Sequence, residues 1–289
     1  MAASEWFAID NIDTIDSPAL VLYEDRIKNN IDTLVKSIDD VNRLRPHVKT
    51  HKSAEVSLMM LNAGIKKFKC ATISEAEMLA VVGAPDVLLS YQPIGPKANR
   101  LAELVQRFPK TKFSCLIDNV ESAKHLSKVF SDETIFIEVY IDLNVGMNRT
   151  GIVSESALKL YDDCKSLKGI NIVGLHAYDG HLRDTDLDIR AKRCDEAYKS
   201  VESLQKTILE KNKTKLTIVA GGTPTYSIHS KRKEIECSPG TYIYWDKGYE
   251  QILKEQHYLF AALVVTRIIS KPTDDAICID LGHKAIASE

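Results

Sequence analysis

The amino-acid sequence predicts a (β/α)8 barrel of the TIM type, followed by the start of a C-terminal antiparallel β domain. Apolar, β-branched runs alternate with segments of helical periodicity along most of the 289 residues. Such alternation is typical of parallel βαβ units. The nucleotide-binding form of a doubly wound sheet would need a G-x-G-x-x-G turn after an early strand, and no such turn occurs. The barrel is therefore favoured.

The predicted strands and helices follow one another in chain order. A first strand, at residues 19–23, is set apart from the barrel. The barrel strands are expected at residues 44–49, 68–71, 87–91, 113–117, 135–142, 172–177, 216–220 and 236–237. Helices are expected at residues 25–38, 53–63, 75–82, 98–108, 120–129, 155–167 and 190–210. Eight strands are the number that closes a barrel of this type.

Spacing and end signals support the helices. Residues 25–38 place their apolar side chains on one face at helical intervals, and residues 53–63 do the same with Val56, Met59 and Met60. Glu75 and its neighbours put acidic groups in the first turn of the third helix, and Asn119 is a suitable N-cap for the fifth.

The last part of the chain differs from the barrel. Residues 258–269 and 276–281 have the pattern of two strands, joined by a turn at 271–275 with no helix between them. This is typical of antiparallel structure. We expect a barrel domain over residues 18–257 and a β-rich second domain from residues 1–17 and 258–289. Because roughly 30 residues cannot bury a sheet face alone, this second domain is expected to be truncated.

Composition and charge exclude several classes of function. The formal net charge of -2 and the pI of about 6.5 create no field that would recruit nucleic acid or an anionic membrane. No apolar run approaches the roughly 18 residues of a membrane span, and the N-terminus lacks the basic and apolar regions of a secretory signal. The basic run Lys66, Lys67 and Lys69 is interpreted as a solvated face.

The cysteines indicate an intracellular protein. Six are scattered along the chain without any C-x-x-C pair: Cys70, Cys115, Cys164, Cys194, Cys237 and Cys278. Several lie inside apolar runs, so buried free thiols are expected rather than disulfides or a zinc site. The expected compartment is the cytoplasm.

Residues 45–52, with the sequence RPHVKTHK, carry the strongest chemical signal. A lysine at the end of a strand and beside other cations has a lowered pKa, which makes its amine nucleophilic. A solvated basic turn is the alternative. On a strand His47, Lys49 and His51 would share one face, whereas Lys52 would point away and be structural.

Polar residues follow several other predicted strands, where a barrel has its active site. They are Arg149 in a loop with flanking glycines, His176, Tyr178 and His181 after the sixth barrel strand, Gly221, Gly222 and Thr223 after the seventh, and Gly240, Thr241 and Tyr242 after the eighth. The glycine turns could be simple strand-to-helix connections, and His176 could be a core histidine. The last two loops of a barrel nevertheless commonly bind phosphate through backbone N–H groups. A nucleophilic lysine with a separate phosphate nest favours a Schiff base with pyridoxal phosphate.

The RPHVKTHK stretch resembles the R-P-H-x-K-[TA]-H-K signature of the D-threonine aldolase and D-serine dehydratase family. Those fold-type III pyridoxal-phosphate enzymes combine an alanine racemase-like barrel with a C-terminal β domain. The similarity extends over residues 16–282, and residues 146–151 and 238–242 resemble further family motifs. The resemblance implies that Lys49 forms the Schiff base, that Arg149 lies near the cofactor ring, and that Tyr178 and His181 are in the active site. It assigns the phosphate to Gly221, Gly222, Thr223, Gly240, Thr241 and Tyr242.

The resemblance also implies a reaction. The expected function is retro-aldol cleavage of D-β-hydroxy-α-amino acids to glycine and an aldehyde, with Lys49 and His181 as catalytic residues. Dehydration of D-serine or D-3-hydroxyaspartate is the alternative, followed by racemisation or non-catalytic binding of pyridoxal phosphate. Family members bind a divalent metal (Mn, Mg or Zn) through a histidine followed two positions later by cysteine or aspartate. Here His283 is followed at that spacing by Ala285, so the ligands are expected beyond Glu289. A homodimer is also implied.

Overall fold

The computed structural model describes residues 6–286 and has at its centre a parallel sheet of seven strands, curled into a barrel. Strand β1 (Ala19–Leu22) lies outside this sheet. The sheet contains β2 (Lys67–Cys70), β3 (Asp86–Leu89), β4 (Lys112–Ile117), β5 (Ile137–Leu143), β6 (Ile170–Ala177), β7 (Thr217–Ala220) and β8 (Ile235–Cys237). From β3 to β8, each strand pairs with the strand that precedes it in the chain. The predicted barrel class is confirmed.

An extended segment, residues 44–47, occupies the place of the first barrel strand. Leu44 pairs with Cys237 in β8, and His47 pairs with Lys69 in β2, each as an isolated parallel bridge. The predicted strand at 44–49 is wrong in its last part, because Val48–Thr50 is a 3-10 helix. Pro46 has no N–H to donate and interrupts a regular ladder. Lys49 therefore lies on a turn, and the strand face that it was expected to share with His47 and His51 does not exist.

The seven expected helices surround the barrel in the expected order, and two further short helices were not predicted. The expected helices are α1 (Glu24–Lys36), α2 (Ala54–Asn62), α3 (Ile73–Val81), α4 (Pro96–Arg107), α5 (Val120–Asp132), α6 (Ser154–Cys164) and α7 (Leu187–Asn212), and the two short ones are α8 (Tyr226–His229) and α9 (Lys247–Ile252). Asn119 is the N-cap of α5, as predicted, and its side chain accepts the N–H of Ser122 at 2.8 Å. Helix α3 begins two residues earlier than predicted because Thr72 caps it. Between residues 6 and 286, none of the helices has both the length and the apolar character that crossing a bilayer requires.

The interior of the barrel is filled in layers. At the amino ends of the strands, Arg45 is 1% exposed and donates to Glu236 and to Asp86, each at 2.6 Å. Lys67 also pairs with Glu236. An apolar cluster of Leu88, Leu116, Tyr140 and Val219 lies within the sheet. Because these layers fill the lower barrel, only the carboxyl ends of the strands can form a site.

The C-terminal residues form antiparallel structure, as predicted. Strand β9 (Ala262–Val265) pairs with β1, and β10 (Ile268–Thr273) forms a hairpin with β11 (Ala276–Ile279). The expected single strand at 258–269 is thus two shorter strands. The turn is also shorter than expected, because Thr273 already pairs with Ala276.

The cysteines agree with the expectation except at one position. Cys70, Cys115, Cys164, Cys194 and Cys237 are buried and free, whereas Cys278 is free but exposed. The apolar run around Cys278 is the exposed strand β11, in which none of the side chains is buried. The expectation of a buried thiol at Cys278 was wrong.

Replacing Arg45 by methionine is expected to lower the free energy of unfolding by about 3 kcal/mol or more, because Glu236 and Asp86 lose a buried partner. Urea unfolding of both proteins measures the difference. Lys28→Met is the matched control, since the Lys28–Glu24 pair is exposed and exposed ion pairs contribute little to stability. Equal effects of the two substitutions would contradict a structural role for the buried network.

Candidate active site

A cavity opens at the carboxyl ends of the barrel strands. Its lining comprises His47, Lys49, Lys69, Ser90, Leu116, Asp142, Arg149, Thr150, His176 and Tyr178. Three residues singled out from the sequence meet here: Nζ of Lys49 lies 5.7 Å from the centre of the Tyr178 ring, and the Arg149 guanidinium lies 5.2 Å from it. Two cations and an aromatic ring thus define one wall of the cavity.

His47 fixes the turn that carries Lys49. The backbone N–H of Lys49 donates to Nδ1 of His47 at 3.2 Å. Burial and the charges of Lys69 and Lys49 hold the pKa of His47 well below its usual value, so the ring is neutral. Since Nδ1 accepts, Nε2 carries the proton and donates to Oγ of Ser90 at 3.4 Å. His47 therefore has a structural role behind the lysine.

The end of the RPHVKTHK stretch is also structural. His51 accepts the backbone N–H of Ser53 through Nδ1 at 3.1 Å, and burial lowers its pKa to about 4. Lys52 was expected to point away from the site. Its side chain is 59% exposed and pairs with Glu75, which agrees with that expectation.

Lys69, His176 and Asp142 form a hydrogen-bonded chain on the floor of the cavity. Nζ of Lys69 lies 3.4 Å from Nε2 of His176, whose Nδ1 lies 2.7 Å from Oδ1 of Asp142. Burial and the Lys69 charge lower the pKa of His176. The neutral ring donates through Nδ1 to the carboxylate, so Nε2 accepts from Lys69. Both ring nitrogens of His176 have hydrogen-bond partners, as expected of a core histidine, although the side chain also borders the cavity.

The expectation that Lys69 belongs to a solvated face was wrong. Lys69 is 2% exposed, and burial, reinforced by the Lys49 charge, lowers its pKa to about 7. Phe68 and Cys70 pack in the core between sheet and helices, so Lys69 between them faces the barrel interior. Both faces of a barrel strand are buried. A lysine that alternates with apolar residues near the end of such a strand is the signal that could have identified it.

The loop that carries Arg149 has the defined shape that its glycines suggested. Oδ1 of Asn144 accepts the N–H groups of Gly146 and Asn148, each at 3.1 Å. Gly146 has a φ of +113°, and a Cβ there would lie 2.9 Å from Nε2 of His181. A side chain at position 146 would therefore both strain the backbone and displace His181.

His181 lies beside this loop and outside the lining of the cavity. Its Nδ1 is buried and has no hydrogen-bond partner among residues 6–286. A buried ring nitrogen without a protein partner can form a hydrogen bond with a ligand, and Nε2 of His51 is a second atom of this kind. Its catalytic role remains a prediction.

The two glycine turns meet next to Lys49. Short 3-10 helices begin at Thr223 and Thr241, and Oγ1 of Thr223 accepts the N–H groups of Gly240 and Thr241, each at 3.0 Å. Two N–H groups that converge on one oxygen atom also suit an oxygen atom of a phosphate, which would replace the Thr223 hydroxyl as their acceptor. A Cβ at Gly240 would lie 3.0 Å from the carbonyl oxygen of His47, so this nest adjoins the turn that carries Lys49. The residues present therefore fit pyridoxal phosphate.

Three of the predicted phosphate residues direct polar groups to other parts of the protein, and one of these groups is the N–H of Gly222, which lies 3.4 Å from Oγ1 of Thr225. The N–H of Gly221 donates to the carbonyl of Ala177 at 2.9 Å. The hydroxyl of Tyr242 is buried and donates to Sδ of Met60 at 2.8 Å. Gly221 therefore shapes the turn, with a φ of +74°, and any contact of Tyr242 with the anion would be through its backbone.

Behind the nest lies a buried group that resembles a metal site. Asp179, Cys194 and His229 place their potential ligand atoms within 4.8 Å of one another, the only three-residue group of this kind among residues 6–286. Arg232, which can only donate, lies 3.2 Å from Nδ1 of His229. Nδ1 must accept, so Nε2 carries the proton and donates to Asp179 at 2.9 Å. Because a ligating nitrogen needs its lone pair, the group is a hydrogen-bond network and does not fit a metal.

Comparisons with known proteins agree with this geometry. The family model described as "Alanine racemase, N-terminal domain" matches residues 23–247. D-threonine aldolase from an Arthrobacter species is 29% identical over 290 residues, which cover 97% of this chain and 75% of the relative. D-threo-3-hydroxyaspartate dehydratase of Delftia sp. strain HT23 is 26% identical over 82% of this chain and 63% of the relative. The crystal structure of D-threonine aldolase from Filomicrobium marinum has a TM-score of 0.86 at 25% identity, covering 93% of this chain and 74% of that one.

Lys69→Met is expected to change how stability depends on pH. The pKa of Lys69 is about 7 in the folded protein and 10.5 ordinarily, so the unfolded chain binds more protons between these values. Wild-type stability should therefore rise by several kcal/mol relative to the variant as the pH increases from 7 to 10.5, and the difference should be constant below 7. Urea unfolding at a series of pH values measures it. Lys66→Met, at an exposed position, is the control, and a pH-independent difference for Lys69→Met would contradict the expectation.

Proposed function

Because the chain belongs to the alanine racemase N-terminal domain family, we propose that it is a pyridoxal-phosphate-dependent lyase that cleaves D-β-hydroxy-α-amino acids. The proposed reaction is that of a D-threonine aldolase, giving glycine and an aldehyde. One observation carries the proposal: Lys49, on a fixed turn, adjoins both the Tyr178 wall and the converging N–H groups of the nest. The D-threonine aldolases from Arthrobacter and Filomicrobium marinum support it.

A dehydratase is the second candidate, since the Delftia relative removes water from D-threo-3-hydroxyaspartate. D-serine is the other candidate substrate of a dehydratase. Racemisation and non-catalytic binding of pyridoxal phosphate rank lower. The antiparallel strands β9, β10 and β11 argue against a carrier that consists of a barrel alone.

Most of the proposed site residues would hold the cofactor in place, and one would take up a proton from the substrate. Lys49 would hold the cofactor through its ε-amine, and Gly222, Thr223, Gly240 and Thr241 would bind its phosphate. Bound pyridoxal phosphate would supply the electron sink for negative charge that develops at the substrate α-carbon. Tyr178 packs against Gly222, where a Cβ would lie 2.8 Å from its ring, and so would limit the position of the ring system.

His181 is the proposed acceptor of the substrate β-hydroxyl proton, because Nδ1 has no partner in the part of the chain that the structure describes. Arg149, across the Tyr178 ring, would hold negative oxygen atoms of the bound molecules. His176, held by Asp142 at 2.7 Å, would close the floor of the cavity against water.

Further parts of the proposal concern the setting of the site. We propose that the enzyme is a homodimer, that it acts in the cytoplasm, and that residues 1–17 and 258–289 belong to a second, β-rich domain. Of these, residues 1–5 and 287–289 lie outside the part of the chain that the structure describes. The divalent metal that the family resemblance implies would need ligands other than Asp179, Cys194 and His229.

Lys49→Ala is expected to abolish covalent cofactor binding, because the ε-amine is the only part of the residue that can react with the aldehyde. The wild-type protein with pyridoxal phosphate should absorb visible light and become labelled irreversibly by borohydride, and the variant should do neither. Lys52→Ala removes a neighbouring, exposed lysine and should retain both signals. Borohydride labelling of Lys49→Ala at another lysine would refute the assignment.

D-threonine and D-serine separate the two candidate reactions. With pyridoxal phosphate and Mn²⁺, the protein is expected to produce glycine and acetaldehyde from D-threonine and to leave D-serine largely unchanged. Coupled assays for acetaldehyde and for pyruvate measure the two outcomes. Pyruvate and ammonia formed from D-serine at the higher rate would establish the dehydratase instead.

A further inference from the structure

Asp179 is a buried carboxylate that connects the sixth barrel strand to the phosphate nest. It is 3% exposed and follows Tyr178 at the exit of β6. Its two oxygen atoms have different partners: Oδ1 accepts from the hydroxyl of Thr225 at 2.7 Å, and Oδ2 accepts from Nε2 of His229 at 2.9 Å. A buried carboxylate with a satisfied partner on each oxygen can hold both partners in place.

The charge of Asp179 fixes the direction of the hydrogen bonds. Burial alone would raise its pKa, but the bonds from His229 and Thr225 outweigh burial, and the pKa of Asp179 is lowered. An ionised carboxylate only accepts, so the proton of the Thr225 hydroxyl points towards it. Oγ1 of Thr225 is then oriented to accept, and the N–H of Gly222 lies 3.4 Å from it.

The nest turn packs directly on this network. A Cβ at Gly221 would lie 2.7 Å from Oγ1 of Thr225 and 2.6 Å from Cδ2 of His229. Thr223, whose hydroxyl oxygen collects two N–H groups of the neighbouring turn, lies in the same turn, between Gly222 and Thr225. The conformation of the nest thus depends on where Thr225 is held.

We propose that Asp179, acting through Thr225, is a positioning residue that orients the Gly222–Thr223 turn to bind the phosphate group of the cofactor. This inference rests on the proposed function, because it presupposes that pyridoxal phosphate occupies the cavity. The hydroxyl of Thr225 stands between the carboxylate and the nest. The carboxylate can therefore orient the turn without being a ligand of the anion.

The test compares two ligands that differ only in the phosphate: pyridoxal phosphate and pyridoxal. Titration of the cofactor-free protein, followed by visible absorbance, gives both affinities. Thr225→Val should weaken pyridoxal phosphate binding about tenfold, as for the loss of one buried hydrogen bond, and should leave pyridoxal binding nearly unchanged. Asp179→Asn should likewise weaken the binding of pyridoxal phosphate more than the binding of pyridoxal. Thr225→Ser keeps the hydroxyl and should bind both ligands with nearly wild-type affinity.

Thr207→Val is the matched control, because its hydroxyl bonds to a carbonyl within the exposed face of α7. It should change neither affinity. Equal losses for both ligands in Thr225→Val, or no loss for either, would overturn the inference while leaving the proposed function intact. Failure of the wild-type protein to bind pyridoxal phosphate would overturn both.

Titration with Co²⁺ provides a second test of the hydrogen-bond network around Asp179. If Asp179, Cys194 and His229 bound a metal, Co²⁺ would produce a thiolate charge-transfer band that Cys194→Ser abolishes. Such a band would overturn the inference, because His229 could then not donate to Asp179. The hydrogen-bond network requires that no such band appears.

Discussion

The site depends on how the barrel is closed. Backbone hydrogen bonds from Arg45 to Cys237 and from Lys69 to Pro46, each 2.9 Å long, attach residues 44–47 to the two edge strands. The same segment carries Arg45 into the ion network at the amino end of the barrel and continues into the turn of Lys49. A third bond, from His47 to the carbonyl of Pro239 at 3.0 Å, places that turn beside the nest. The segment that closes the barrel therefore also positions Lys49 in the candidate active site.

Much of the fold could be predicted because it follows from local patterns. Apolar periodicity located the first seven helices and most of the barrel strands within a few residues, and Asn119 and the glycine turns had recognisable local chemistry. The short helices α8 and α9 were not predicted. The end of the strand near Lys49 could not be predicted in the same way. Pro46 permits an extended chain as well as a turn, and only the pairing of Leu44 and His47 with strands distant in sequence decides where the ladder stops.

The polar interior was harder to predict than the fold. Charge composition alone does not tell which side of a strand faces the barrel, so Lys69 had the local appearance of a surface residue. The network behind the nest joins Asp179 to Thr225 and to His229, 46 and 50 positions later. Hydrogen bonds over such separations leave no periodic signal, and only the folded chain reveals them.

The parts of the site differ in how firmly the surrounding structure holds them. The turn of Lys49 is held by His47 and by barrel closure, and the nest turn is held by a buried carboxylate. Arg149 and His181, by contrast, come from loops at the mouth, and His181 lacks a partner for Nδ1 among the residues described. Cofactor binding, which the candidate lyases share, would thus fall to the residues that the barrel holds in place. The choice between cleaving the Cα–Cβ bond and expelling the β-hydroxyl would depend on proton transfer at the substrate, for which His181 is the proposed group. Differences in reaction among barrels of this kind should therefore originate in those loops.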